Sequence, residues 1–230
     1  MVRLTKPLSN TSLLLSTSIQ KYRFTKVSCY MSSIQYLSLF IFMVVSTITP
    51  GPNVVMVTAS GANFGIKRTL PHLFGISVGV YIVMGLEALG INQLFSTYPW
   101  ISIFIKVAGS LYLSWLGFGL FNKGKPDPQS KRSRPLYLRE SVLLQFLNPK
   151  GWILTLTVLS GYTLQGDLYW PSAFIVISIY AWTCLFTTGV WMILGSQIGR
   201  VLKDESHWKL FNKLMGTLTI GCAIMLWTGF

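Results

Sequence analysis

The chain has 230 residues, 51% of them hydrophobic and 11% charged, with a mean hydropathy of +0.53. That is too apolar for a soluble domain of this length, so the composition is that of a membrane protein. The net charge of +13 does not indicate nucleic-acid binding, because the basic residues lie between apolar stretches and not on one face with interleaved aromatics.

Residues 1–30 carry Arg3, Lys6, Lys21, Arg23 and Lys26 and no acid. The apolar piece Leu13–Leu15 is too short for a signal-peptide core. A chain starting at Met31 has no positive charge before its first span, so this extension reads as an over-long start or a disordered tail; its basic, Ser/Thr-rich composition also fits a targeting presequence. Six stretches then reach the roughly 20 apolar residues that a crossing helix needs: 34–60, 70–94, 100–121, 141–163, 170–195 and 210–230. The connections 61–70, 122–139 and 199–213 hold two, six and four Lys or Arg, whereas 95–99 and 164–169 hold none. By the positive-inside rule the basic connections are cytoplasmic, which places both termini outside.

The first span is interrupted by Thr49-Pro50-Gly51-Pro52-Asn53, in a run with no charge from Ile34 to Ala59. Two prolines remove donors and clash with the preceding turn, and the glycine adds backbone freedom, so the helix is expected to unwind at 49–51 and restart at Pro52. A helix broken in lipid survives only where it faces protein or a water-filled cavity. The restarted half presents unpaired N–H groups and partial positive charge, which suits an anion. A second break, Asn148-Pro149-Lys150, stands at the matching place in the fourth span.

Two halves that each open on an interrupted helix suggest a duplication, and three crossings per half invert the second relative to the first. The expected fold is an all-α membrane protein of six transmembrane helices, with inverted repeats at about 31–121 and 136–230 joined by the basic cytoplasmic loop 122–139. Thr49, Pro50, Gly51, Pro52, Asn53, Asn148, Pro149 and Lys150 form the candidate substrate site, an electropositive pocket for a carboxylate. A deep lysine costs roughly 2.5–3.5 kcal/mol and therefore calls for a role, unless Lys150 snorkels to the headgroups. Glu87, the acid well inside a span, is a candidate for proton coupling or for binding an ammonium group, unless it is hydrated near the outer end.

Tyr112 and Trp115 read as packing, and Trp100, Trp170 and Trp208 as an aromatic belt. Gly75 with Gly79, and Gly195 with Gly199, have the spacing that lets helices approach closely, and a homo-oligomer remains open. The chain has two histidines, His72 and His207, both at span ends, and three cysteines without metal or redox spacing. No metal, cofactor or catalytic constellation is expected, which argues against an intramembrane enzyme. A scaffold would have no use for two matched breaks, whereas a channel could use the same helix ends.

The strings "TPGPN", "GANFGIKR", "GISVGVYIVM", "AGSLYLSWLG" and "LLQFLNPKGWI" resemble, in order and spacing, the LysE/RhtB family of amino-acid exporters, and most of all its cysteine and O-acetylserine branch. The resemblance covers residues 34–230. It implies a six-span bundle in a bacterial cytoplasmic (inner) membrane, exporting small amino acids with proton coupling. Residues 49–53 match the first family signature and 148–150 the second; no family acid maps onto Glu87.

Overall fold

The computed structural model describes residues 33–49, 51–126, 134–225 and 227. The extension 1–30, Pro50 and part of the loop 122–139 lie outside the described residues. All regular structure among those residues is helical. Helix α1 spans Ser33–Ile48, α2 Pro52–Ala88, α3 Ile91–Thr97, α4 Pro99–Phe121, α5 Leu138–Phe146, α6 Pro149–Tyr162, α7 Tyr169–Val201 and α8 Glu205–Met225, with a 3₁₀ turn at Gly166–Leu168.

Three runs, Pro52–Ala88, Pro99–Phe121 and Gly166–Val201, are long and apolar enough to cross a bilayer, and α5 with α6 makes a fourth if taken as one span bent by 71°. The 37-residue α2 is not one straight rod. Gly65 takes φ 75° and ψ 173° inside it, a conformation that residues with a Cβ rarely adopt. His72 Nδ1 lies 3.3 Å from Ser60 Oγ, although twelve residues of straight helix would separate them by about 18 Å. The chain therefore doubles back at Gly65 into two packed arms, 52–64 and 66–88.

The arms pack closely on the other half of the chain. A Cβ on Gly195 or Gly199 would run into the carbonyls of Thr58 and Ala62, so the first arm lies backbone to backbone against the end of α7. A Cβ on Gly75 would sit 2.5 Å from Leu138 O, and one on Gly79 2.5 Å from Gln145 Cγ, which holds the second arm against α5. The small-xxx-small spacings are thus contacts within one chain. Helix α4 packs on α8.

The three basic connections gather at one end. Phe64, at the hairpin turn, carries Arg68 at 5.4 Å and Lys123 at 5.2 Å from its ring centre. Asn63 donates to Asn212 Oδ1 (2.9 Å), Asn212 donates to Gly124 O (3.0 Å), and Lys125 donates to Lys203 O (2.9 Å). At the opposite end Tyr169 OH donates to Ala88 O (2.8 Å) and Ser38 bonds Tyr162 (3.0 Å).

Two expectations need correction. The second arm stops at Ala88 and not near residue 94, because Gly90 at φ 87° opens the separate helix α3. Trp208 is buried, with its indole donating to Leu202 O at 3.0 Å, whereas Trp100 and Trp170 are exposed as a belt requires.

Candidate functional site

Helix α1 ends at Ile48 and α2 begins at Pro52, which occupies the first helical turn. The break lies between Ile48 and Pro52, where the prolines predict it. The hydrogen-bond ladder restarts with Val55 N–H on Gly51 O at 3.0 Å. Gly51 has φ −164° and ψ −177°, extended backbone open to any residue. What its glycine supplies is space, since a Cβ there would stand 3.3 Å from Lys150 Nζ.

The second break has the same grammar. Helix α5 ends at Phe146 and α6 begins at Pro149, with Asn148 as N-cap accepting from Gly151 N–H at 3.4 Å. In each break a tryptophan caps the last carbonyl of the first half-helix. Trp191 of α7 donates to Ile48 O, and Trp152 donates to Phe146 O, both at 3.1 Å. These bonds satisfy groups that a helix end leaves unpaired.

The two breaks meet. Asn53 Nδ2 donates to Gln145 Oε1 (2.8 Å), and Gln145 Nε2 donates back to Asn53 Oδ1 (3.1 Å) and to Ser141 O (3.1 Å). Lys150 Nζ approaches Thr49 O at 3.5 Å. It turns toward the first break, in contrast to a lysine snorkelling to headgroups. A cavity of about 50 Å³ opens where the breaks touch, lined by Thr49, Gly51, Pro52, Asn53, Asn148 and Lys150.

Of the sequence-predicted residues, these six share one cavity. Pro50 lies outside the described residues, and Pro149 starts α6. Others complete the wall: Ser46 and Thr47 from α1, Val80 from the second arm, Gln145 from α5, Leu154 and Thr155 from α6, and Tyr180, Cys184 and Thr188 from α7. Among the described residues α4 adds none to this wall. Ser77 and Tyr81 line a different, outward groove between α2 and α7. Tyr112 and Trp115 stack on each other with centroids 5.8 Å apart.

The wall is polar, yet most of its hydroxyl protons are committed to backbone carbonyls. Thr47 donates to Met43 O (2.7 Å), Thr49 to Val45 O (2.5 Å) and Thr155 to Gly151 O (2.8 Å). Their oxygens keep acceptor capacity. The end of α1 turns carbonyls toward the site and the start of α2 turns N–H groups toward it, so each break offers a negative and a positive pole.

Glu87 is 5% exposed, so it is not the hydrated residue that its place near a span end allowed. Among the described residues neither carboxyl oxygen has a hydrogen-bond partner. Thr155 lies beside it, but that hydroxyl is taken by the carbonyls of Gly151 and Trp152. No three His, Cys, Asp or Glu among the described residues are grouped to hold a metal.

Residues 41–229 match the family described as LysE type translocator. The chain is 26% identical over 207 residues to the threonine efflux protein of Escherichia coli K12, covering 83% of this chain and 96% of that protein. It is 25% identical over 203 residues to the leucine efflux protein of Klebsiella pneumoniae, covering 85% and 95%. It is 24% identical over 187 residues to the cysteine/O-acetylserine efflux protein of Salmonella typhimurium, covering 80% and 93%. No solved structure matches the chain. A family match from residue 41 to residue 229, across both interrupted helices, settles the kinship: the chain belongs to the LysE family.

Proposed function

We propose that this protein exports small amino acids across a bacterial cytoplasmic membrane by alternating access of two inverted three-helix repeats, drawing on the proton gradient. In this reading α1 with the first arm of α2, the second arm and α4 form one repeat. Helix α5 with α6, α7 and α8 form the other. The single observation that carries the proposal is the meeting of the two breaks at one cavity, where Asn53 of one half and Gln145 of the other exchange two hydrogen bonds. Inversion is supported by chain direction, since the first broken span runs toward the basic end and the second runs away from the basic loop.

A zwitterionic amino acid matches the paired poles. Its carboxylate takes the N–H ends of α2 and α6 with Lys150, while its ammonium takes the carbonyl end of α1 and the hydroxyl oxygens of Ser46 and Thr47. The cavity of about 50 Å³ is smaller than an ordinary ligand pocket of roughly 300 Å³ or more. The named relatives export neutral amino acids, and the same substrate class is proposed here.

The test is efflux from vesicles preloaded with labelled amino acids, wild type against Lys150→Met at equal membrane levels. Selective loss in the variant for substrates that the wild type exports supports the site. Unchanged export in Lys150→Met refutes the role of Lys150, and export of nothing by the wild type refutes the substrate class.

A further inference from the structure

The mechanism above leaves Glu87 unused, and that side chain is the most anomalous in the bundle. It is buried, neither oxygen has a hydrogen bond among the described residues, and the sequence left two roles open for it, proton carrier or ammonium ligand. A substrate ammonium needs the carboxylate in the cavity wall. Glu87 is not there: Thr155, which lies beside it, lines the cavity in its place. An ionised carboxylate without hydrogen bonds is costly to hold in an apolar surround, which suits a group that takes up and gives off a proton.

Ionisable groups on the elements packed around this arm are Tyr36 of α1, Arg139 and Glu140 of α5, Lys150 and Tyr162 of α6, and Tyr169, Tyr180, Cys184 and Arg200 of α7, with Lys67, Arg68, His72 and Tyr81 on the arm itself. Tyr169 donates its hydroxyl to Ala88 O. His72, among the described residues the other side chain with an unpartnered buried atom, stands fifteen residues down the same arm, about 22 Å away. Buried Ile76, Val80 and Met84 intervene, so His72 does not share the site.

We infer that Glu87 is the proton-carrying group of the export cycle, behind the substrate cavity with Thr155 between. This rests on the exporter reading and deepens it. The carboxyl takes up a proton from the side opposite the basic end and releases it when the cavity opens toward the basic end. The substrate moves outward on the return. Because the acid sits behind the wall, removing its charge leaves substrate binding intact and removes the link to the gradient.

Purified protein in vesicles separates the two. Exchange of labelled for unlabelled substrate at equal pH needs no net proton movement, whereas uphill export under an imposed pH gradient does. Glu87→Gln is expected to keep exchange within about twofold of the wild type and to lose gradient-driven export by about 5- to 150-fold, the usual range of coupling between sites. Its half-saturation concentration for exchange stays unchanged. A raised half-saturation with gradient drive retained would overturn the inference in favour of ammonium binding. Gradient-driven export at the wild-type rate would also overturn it. Glu87→Leu, which fills the same site without polar atoms, is expected to behave as Glu87→Gln. Failure of both variants to assemble would overturn the inference as well, because glutamine reproduces the shape and neutrality of the protonated acid. A wild type that neither exchanges nor exports would instead sink the exporter reading itself.

Discussion

The amide pair between the two breaks yields a quantitative expectation. Gln145 is 2% exposed and makes three hydrogen bonds, two with Asn53 and one to Ser141 O. Side-chain hydrogen bonds between membrane helices average about 0.6 kcal/mol. Gln145→Leu, close in volume, should therefore cost about 2 kcal/mol, and Asn53→Leu about 1 kcal/mol. The two shared bonds are lost in either variant, so the double variant should cost about 2 kcal/mol and not the sum. The expected coupling is about 1 kcal/mol, read by a double-mutant cycle of equilibrium unfolding in mixed detergent micelles. Additivity within about 0.3 kcal/mol would refute the claim that these amides bond each other across the two halves. A pair that merely lined the cavity independently would give a double variant costing about 3 kcal/mol.

Other outcomes follow from single contacts. Gly195→Leu should abolish assembly, because its Cβ meets the Thr58 carbonyl, whereas Gly85→Ala meets nothing within 4 Å and should be neutral or stabilising by up to about 1 kcal/mol; a thermal melt in detergent separates them. Gly51→Ala should leave the fold intact and lower export several-fold by crowding Lys150, whose Nζ would stand 3.3 Å from the new Cβ; a full wild-type rate would show that Lys150 has room to move. Acid sensitivity has a defined sign at the start of α5: Arg134 bonds both Glu140 oxygens at 2.7 Å and holds its carboxyl below the usual range. That contribution is present above the unfolded carboxylate pKa of about 4 and fades as pH falls through the folded value. The pair is partly exposed, so Glu140→Gln should remove less than about 1 kcal/mol at neutral pH and nothing in acid, as unfolding at both pH values would reveal.

The breaks were legible because proline and glycine act on the backbone locally: Ile48, Pro52 and Pro149 bound the helices where the residue types dictate. The partners across the breaks were not. Gln145 and Trp191 are ordinary residues on apolar helices, and only the close approach of α5 to the second arm and of α7 to α1 gives them their bonds. Lys150 and Glu87 were legible as expensive residues, but burial decides their setting. Lys150 faces the cavity, whereas Glu87 is set behind it by packing that no local pattern encodes. The reversal at Gly65 falls inside the basic connection 61–70 that the sequence places between two spans, but how short the turn is follows from the Gly65 conformation alone.

The tryptophan caps make the two interruptions mechanically unequal. Trp152 belongs to the same bent span as the Phe146 carbonyl it covers, so that cap travels with its break however the halves move. Trp191 reaches Ile48 from the opposite half of the chain. If the halves rock, this second bond is a tether strung across the moving seam. Either the end of α1 is towed along by α7, or its carbonyl is bared in an apolar setting at every stroke. The fold thus carries one self-contained joint and one joint shared between partners, and the shared joint is where a cycle would feel resistance.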